Sequence, residues 1–355
     1  MLRTRFTEQF SLRIPLMGAP MAGVSGGALA AAANRAGALG FIAAGHLDSI
    51  DDLRREVGIF RENAPADSPL AIGFIGFSSM KDGLGRVEAA ISEHKPNCVQ
   101  FFAPAVSPLG DNIALAQSLG ALVMAQVGCE RDAREAIRHG ADVIIAQGRE
   151  AGGHGLRGPL GSSTLPLASR VVELVAQRDI SAATKVPTVL AAGGIVCGRG
   201  LAAALALGCD GAVFGTRLWA SKEAMGHESF KQALTRAGPD DVARTVVFDQ
   251  VQNTYRKFPW PRPFDSSGAL LNDLAVQWLG QPEVALAQEL ARDGSVLAKQ
   301  HKHAEQNGLV SQSCIFAGEG VGSIIEIESA EAVLRRAEST AKAQIERLQR
   351  MLVTP

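Results

Sequence analysis

Gly18-Ala19-Pro20-Met21-Ala22-Gly23 ends the first apolar run of the chain, Pro15 to Pro20, and the glycines it lacks decide the architecture. Further apolar runs follow at Leu39 to Ala43, Leu70 to Phe77, Asn97 to Phe102, Ala121 to Val127, Ala141 to Gln147, Pro187 to Ala192 and Gly211 to Gly215. Each is nearly continuous in apolar residues rather than alternating, the pattern of parallel strands buried on both faces. Asp48 to Arg61, Cys129 to His139 and Gly198 to Leu207 lie between runs and are long enough for the crossover helices that parallel strands require. An open doubly wound sheet and a closed barrel both satisfy this alternation. The open dinucleotide-binding sheet, however, carries G-x-G-x-x-G after its first strand, and Gly18 to Gly23 does not match it. The glycines gather instead after the sixth, seventh and eighth runs, at the strand ends where barrels build their sites and hold phosphate. The sequence thus predicts an α/β protein, a (β/α)8 TIM barrel.

At 355 residues the chain accommodates one such barrel with an extension. The barrel is expected over 1–240, an irregular or helical cover near the site over 241–325, and a C-terminal helix over 326–355. The cover carries the aromatic and proline group Tyr255, Phe258, Pro259, Trp260, Pro261, Pro263 and Phe264. Ser329 is placed to cap the last helix, in which Leu334, Ala337, Ala341, Ile345, Leu348 and Leu352 recur at helical spacing. That helix would pack on the barrel wall or on a partner, a homodimer being the assembly it would serve. Ala28 to Ala33 reads as the core face of the first helix.

The net charge of -1 gives the chain no pull toward nucleic acid or anionic lipid. No apolar stretch approaches the roughly 20 residues of a membrane span. Cys98, Cys129, Cys197, Cys209 and Cys314 are scattered without C-x-x-C or metal spacing, which fits a reducing, cytoplasmic setting. Arg3, Arg5 and Arg13 weakly resemble a transit peptide, but Glu8 interrupts them.

The densest chemistry lies in Gln147-Gly148-Arg149-Glu150-Ala151-Gly152-Gly153-His154-Gly155, directly after the sixth run. Glycine lets a backbone approach a flat or anionic ligand closely, and histidine titrates nearest working pH. The bland alternative is a loop with a surface histidine. Gly193-Gly194 and Gly215-Thr216 end the next two runs, and neighbouring barrel loops of this kind can point N–H groups at one phosphate. Ser162, Ser163 and Thr164 lack a nucleophile elbow, and His301 and His303 lie in a polar helical stretch. His46 reads as a loop histidine capping the next helix, and Asp142 and Asp210 belong to the opposite, stabilising end of the barrel. There is no metal cluster and no lysine placed for a Schiff base, so a cofactor must supply the reactivity. FMN fits, with its pyrimidine edge against the backbone around Met21 and the amides of Gln126 and Gln147, and its phosphate on the last two loops.

These residues resemble the nitronate monooxygenase (2-nitropropane dioxygenase) family of FMN-containing barrels. The likeness rests on Ala19-Pro20-Met21-Ala22-Gly23, on Gln147 to His154, on Ala191-Ala192-Gly193-Gly194-Ile195, on Gly215-Thr216-Arg217 and on Ala317 to Gly322. The resemblance implies that His154 is the catalytic base and that FMN is held by Ala19, Pro20, Met21, Gly73, Gln126, Gln147, Gly152, Gly153, Gly193, Gly194, Val213, Phe214, Gly215 and Thr216. The implied reaction joins an alkyl nitronate and O2 to give a carbonyl compound and nitrite. Two departures stand out. The family often carries asparagine on the third strand where Gly73 stands here, and it often lines its pocket with tyrosines, of which this chain has Tyr255 alone. A more apolar or smaller pocket follows. The competing readings are an NAD(P)H-dependent FMN reductase of quinones or enoyl thioesters on the same barrel, and a non-catalytic flavin carrier or scaffold.

Overall fold

A computed structural model describes residues 1–77, 85–104, 108–177, 186–257 and 259–352. Phe258 of the aromatic group lies outside them. Strands β1 (Leu16–Gly18), β2 (Ile42–Ala43), β3 (Ala71–Ile75), β4 (Cys98–Phe102), β5 (Leu122–Val127), β6 (Val143–Gln147), β8 (Thr188–Ala192) and β9 (Gly211–Phe214) each fall in one of the predicted runs. Their parallel sheet runs in the order β1-β9-β8-β6-β5-β4-β3-β2. Leu39, just before β2, joins its two ends: its N–H donates to Leu16 O at 3.0 Å and its carbonyl accepts from Gly18 N at 2.8 Å. The sheet therefore closes as the (β/α)8 barrel.

Alternation along the strands sorts the side chains into two cores. Met17, Ala71, Cys98, Met124, Val143, Ile145, Leu190 and Val213 point inward, while Ile72, Val99, Phe101, Val123, Ile144, Val189 and Phe214 pack outward under the helices. The lower end is plugged by a short helix, Arg5–Phe10, which the sequence did not announce. Its Phe6 and Phe10 join the inner core. Asp210 fastens this end, accepting from Val189 N at 2.9 Å and pairing with Arg5, while Asp142 accepts from Val123 N at 2.7 Å. Both acids sit at the stabilising end, as expected. The Ala-rich helix, Gly27–Ala36, is consequently the second helix rather than the first.

The segment expected to be irregular is more ordered than its composition suggests. Strands β7 (Gly153–Gly155), β10 (Val242–Thr245) and β11 (Ser266–Leu270) form an antiparallel sheet in the order β10-β11-β7. Helices Val247–Gln252, Asp273–Trp278 and Glu283–Asn307 complete this outer layer. Ser329 caps the last helix, Ala330–Gln349, by accepting from Ala332 N. That helix packs on the wall, against Gly198–Ala206 and Gly27–Ala36, through Val333, Leu334, Ala337 and Ala341. Leu348, near the end of that helix, and Leu352, beyond it, are by contrast exposed. No helix among the described residues is long and apolar enough to cross a membrane.

Candidate active site

The C-terminal strand ends open into a cavity lined by Ala19, Pro20, Met21, Gly73, Gln126, Gln147, Gly152, Gly153, His154, Gly193, Gly194, Val213, Gly215 and Thr216. Every predicted site residue is therefore there except Phe214. Phe214 does not line the cavity: by strand alternation Val213 faces in and the Phe214 side chain faces out, fully buried in the outer core.

His154 is held from three sides. The glycine loop leaves β6 and continues as β7, where His154 pairs in register with Ser267 of β11. Its Nε2 lies 2.6 Å from Asp249 Oδ1, and the other carboxylate oxygen accepts from Ser267 Oγ at 3.0 Å. Trp260 stacks flat on the imidazole, with ring centroids 3.8 Å apart and planes inclined by 12°, and Phe316 leans on it at 5.3 Å. Burial holds the His154 imidazole below its ordinary pKa, although Asp249 draws it upward. Burial would raise Asp249, but His154, Arg256 and the Ser267 hydroxyl outweigh it and keep the carboxyl below its ordinary value. Asp249 is therefore the ionised partner of a neutral imidazole. That fixes the tautomer, with Nε2–H donating to Asp249 and Nδ1 keeping its lone pair. Among the described residues nothing bonds Nδ1, and His154 lines the cavity.

Arg244 secures the loop. Its guanidinium donates to the carbonyls of Ala151 (2.7 Å), Ser266 (3.1 Å), Arg149 (3.3 Å) and Gly153 (3.3 Å). Burial lowers its pKa to about 10, so it remains a cation at neutral pH.

Two glycine corners, Gly193-Gly194 and Gly215, line the same cavity. Gly193 and Gly194 have φ of 111° and 68°, conformations that a side chain would strain. Thr216 Oγ1 accepts from Gly318 N at 3.1 Å, which leaves its hydroxyl hydrogen free to donate. Gly318 and Gly320 line the same cavity and bring the Ala317 to Gly322 motif into it. The floor is a row of amides. Gln100 donates to Gln126 Oε1 at 2.8 Å, and Gln147 donates to His154 O at 3.2 Å. Among the described residues, two buried polar atoms of cavity-lining residues have no partner, the acceptor Gln100 Oε1 and the donor Trp219 Nε1. Such atoms are costly unless a polar ligand meets them.

His46 does not cap the following helix; Ser49 does. Instead His46 Nε2 accepts from Gly23 N at 3.1 Å on the cavity wall. Tyr255 does not line the cavity, and its hydroxyl binds His301 and Glu305. The mouth is formed by Phe74, Phe102, Trp260 and Phe316, aromatic rings without phenolic hydroxyls. Asp249, Trp260 and Gln100 were missed. Asp249 carried no local signal, Trp260 lay in the aromatic group of the expected cover, and Gln100 shares the inward parity of its strand.

The profile of the family described as nitronate monooxygenase matches residues 77–336. Nitronate monooxygenase npaC of Metarhizium robertsii is 30% identical over 349 residues, covering 92% of this chain and 91% of that protein. The (3aS,4S,5R,7aS)-5-hydroxy-7a-methyl-1-oxo-octahydro-1H-indene-4-carboxyl-CoA dehydrogenase of Mycobacterium tuberculosis is 34% identical over 248 residues, 70% of this chain but 64% of that one. Among solved structures, FabK from Thermotoga maritima superposes with a TM-score of 0.77 at 27% identity, covering 99% of this chain and all of that one.

Proposed function

The chain belongs to the nitronate monooxygenase family and is an oxidoreductase, and from that premise we propose that it oxidises alkyl nitronates with FMN and O2 to a carbonyl compound and nitrite. The observation that carries this reading is the buried His154–Asp249 pair beside a glycine-lined cavity. FMN suits the wall: the Gly193-Gly194 and Gly215-Thr216 corners would hold its phosphate, and the row of amides would hold its ring. When bound, it supplies the redox step between substrate and O2.

The protein's own part is proton and charge handling. The Nδ1 lone pair of neutral His154 removes the α-proton of a nitroalkane. The resulting imidazolium is stabilised through Nε2–H by Asp249, in the way an acid orients the imidazole of a catalytic triad. Nδ1–H then donates to the nitronate just formed, so one atom serves first as base and then as anion holder. Trp260 fixes the ring plane, and with Phe316 keeps water from the imidazole.

His154→Asn tests this reading. A yellow variant that retains FMN and loses nitrite release supports it, whereas unchanged turnover, or a wild-type protein without flavin, overturns it. The dehydrogenase relative favours a second reading, an NAD(P)H-dependent FMN reductase of quinones or enoyl thioesters. Anaerobic bleaching of the flavin by NADH, and not by a nitronate, would select it. A flavin carrier or scaffold would be indifferent to the substitution.

A further inference from the structure

The active-site cavity opens outward into a vestibule whose walls include Asp48, Phe77 and Lys257. A throat joins the two spaces, formed by residues that line both, among them Phe74, Ile75, Phe316, Trp260, His154 and His46. Among the described residues of the throat, only His46, His154 and Trp260 bring a side-chain nitrogen or oxygen. His154 is the proposed base, and Trp260 lies flat on it. His46 follows β2 and His154 follows β6, staves that stand four apart in the closed order, so the two imidazoles enter the throat from opposite walls.

The two rings also carry their hydrogens in opposite senses. Gly23 N–H donates to His46 Nε2 at 3.1 Å, so Nε2 holds the lone pair and the ring hydrogen is on Nδ1. Among the described residues nothing bonds that Nδ1, and the residue is exposed to the open space it lines. Deprotonating a nitroalkane breaks its α-C–H bond: the proton goes to His154 Nδ1, the electron pair forms the C=N bond, and the charge ends on the two nitro oxygens. While His154 Nδ1 is receiving the proton it cannot donate to those oxygens, and the phenylalanine and tryptophan rings of the mouth carry no hydroxyl. We propose that His46 holds the nitro group during this transfer, its Nδ1–H donating to an oxygen as charge develops there. The proposal rests on the nitronate reading, with FMN against the glycines and amides confining the substrate to the throat.

Two variants test it: His46→Leu removes both ring nitrogens, and His46→Gln restores an acceptor for Gly23 N and an N–H for the throat. With a nitroalkane, His46→Leu is expected to keep its FMN and lose kcat roughly 10- to 150-fold, the scale of one hydrogen bond to a charged group. A preformed nitronate carries its charge from the start, so its loss is expected in KM with kcat little changed. A carboxylate of matching chain length has the charge and planar head of a nitronate without the oxidisable carbon. Its binding, read from the flavin absorbance, is expected to weaken roughly tenfold in His46→Leu, and His46→Gln to recover most of each loss. Unchanged nitroalkane kcat or unchanged carboxylate affinity in His46→Leu overturns the proposal. So does a loss of kcat for both substrates together with weakened FMN binding, the mark of a disturbed turn at Gly23. Wild-type protein that releases nitrite from neither substrate overturns the nitronate reading itself, a result distinguishable from failure of the His46 role alone.

Discussion

Replacing Asp249 with Asn keeps the shape of the side chain and removes its charge, and the two substrate forms should respond differently. In the native pair Nε2–H donates to Oδ1 at 2.6 Å, with the carboxylate almost fully buried. An asparagine amide can donate to Nε2 instead, which moves the ring hydrogen to Nδ1 and takes the lone pair out of the cavity. Returning to the base-competent tautomer then yields an imidazolium without its carboxylate. A hydrogen bond to a charged group contributes about 1.5–3 kcal/mol, so kcat/KM for a nitroalkane should fall roughly 10- to 150-fold. A preformed nitronate needs no deprotonation, and in the variant it meets an N–H on Nδ1, so its kcat/KM should not fall. Nitrite release at limiting concentration of each substrate measures both values. The pH profile supplies a further check. The base is neutral imidazole, so nitroalkane turnover is lost as pH falls through the His154 pKa, which lies below its ordinary 6.5. Asp249 raises that pKa, so its removal should carry the acid limb to still lower pH. Equal losses for nitroalkane and nitronate in a folded, flavin-bearing variant would refute the reasoning, as would an unmoved acid limb.

Two further substitutions separate the site from its support. Arg244→Met leaves the carbonyls of Ala151, Gly153 and Ser266 without their donor. It should cost roughly 1–3 kcal/mol in urea unfolding and lower nitroalkane turnover, because the histidine loop is no longer held; unchanged kinetics would show that the loop needs no clamp. Phe6→Ala opens the fully buried inner core at the far end. It should cost roughly 3–5 kcal/mol in denaturation with kcat preserved under native conditions, and a selective loss of kcat would contradict the separation of plug from site.

The barrel was legible because its strands are continuous apolar runs, and its glycine corners because Gly193, Gly194 and Gly215 interrupt those runs at strand ends. His154 was legible as a titratable group in a glycine turn. Asp249 was not, since it lies in the stretch read as an irregular cover and its partner is 95 positions away. Trp260 sat in a group that suggested a cover without saying which ring it would meet. The strands β7, β10 and β11 are short, and β7 is Gly-His-Gly, so pairing rather than propensity makes them strands. Phe214 was taken with its neighbours as part of a motif, whereas alternation along the strand turns its side chain to the outer core.

The histidine sits on β7, whose backbone ladder is made with β11, and a side-chain bond from Gln147 ties it to a stave of the barrel. Its carboxylate comes from the same outer layer, while the glycine corners and the glutamine row belong to the staves. The proposed acid–base pair and the proposed cradle thus stand largely on different layers of the fold. An ancestor could exchange the outer layer, and with it the reaction, without disturbing the seat beneath, which gives a physical reason for relatives of one architecture to bear the names of different oxidoreductases.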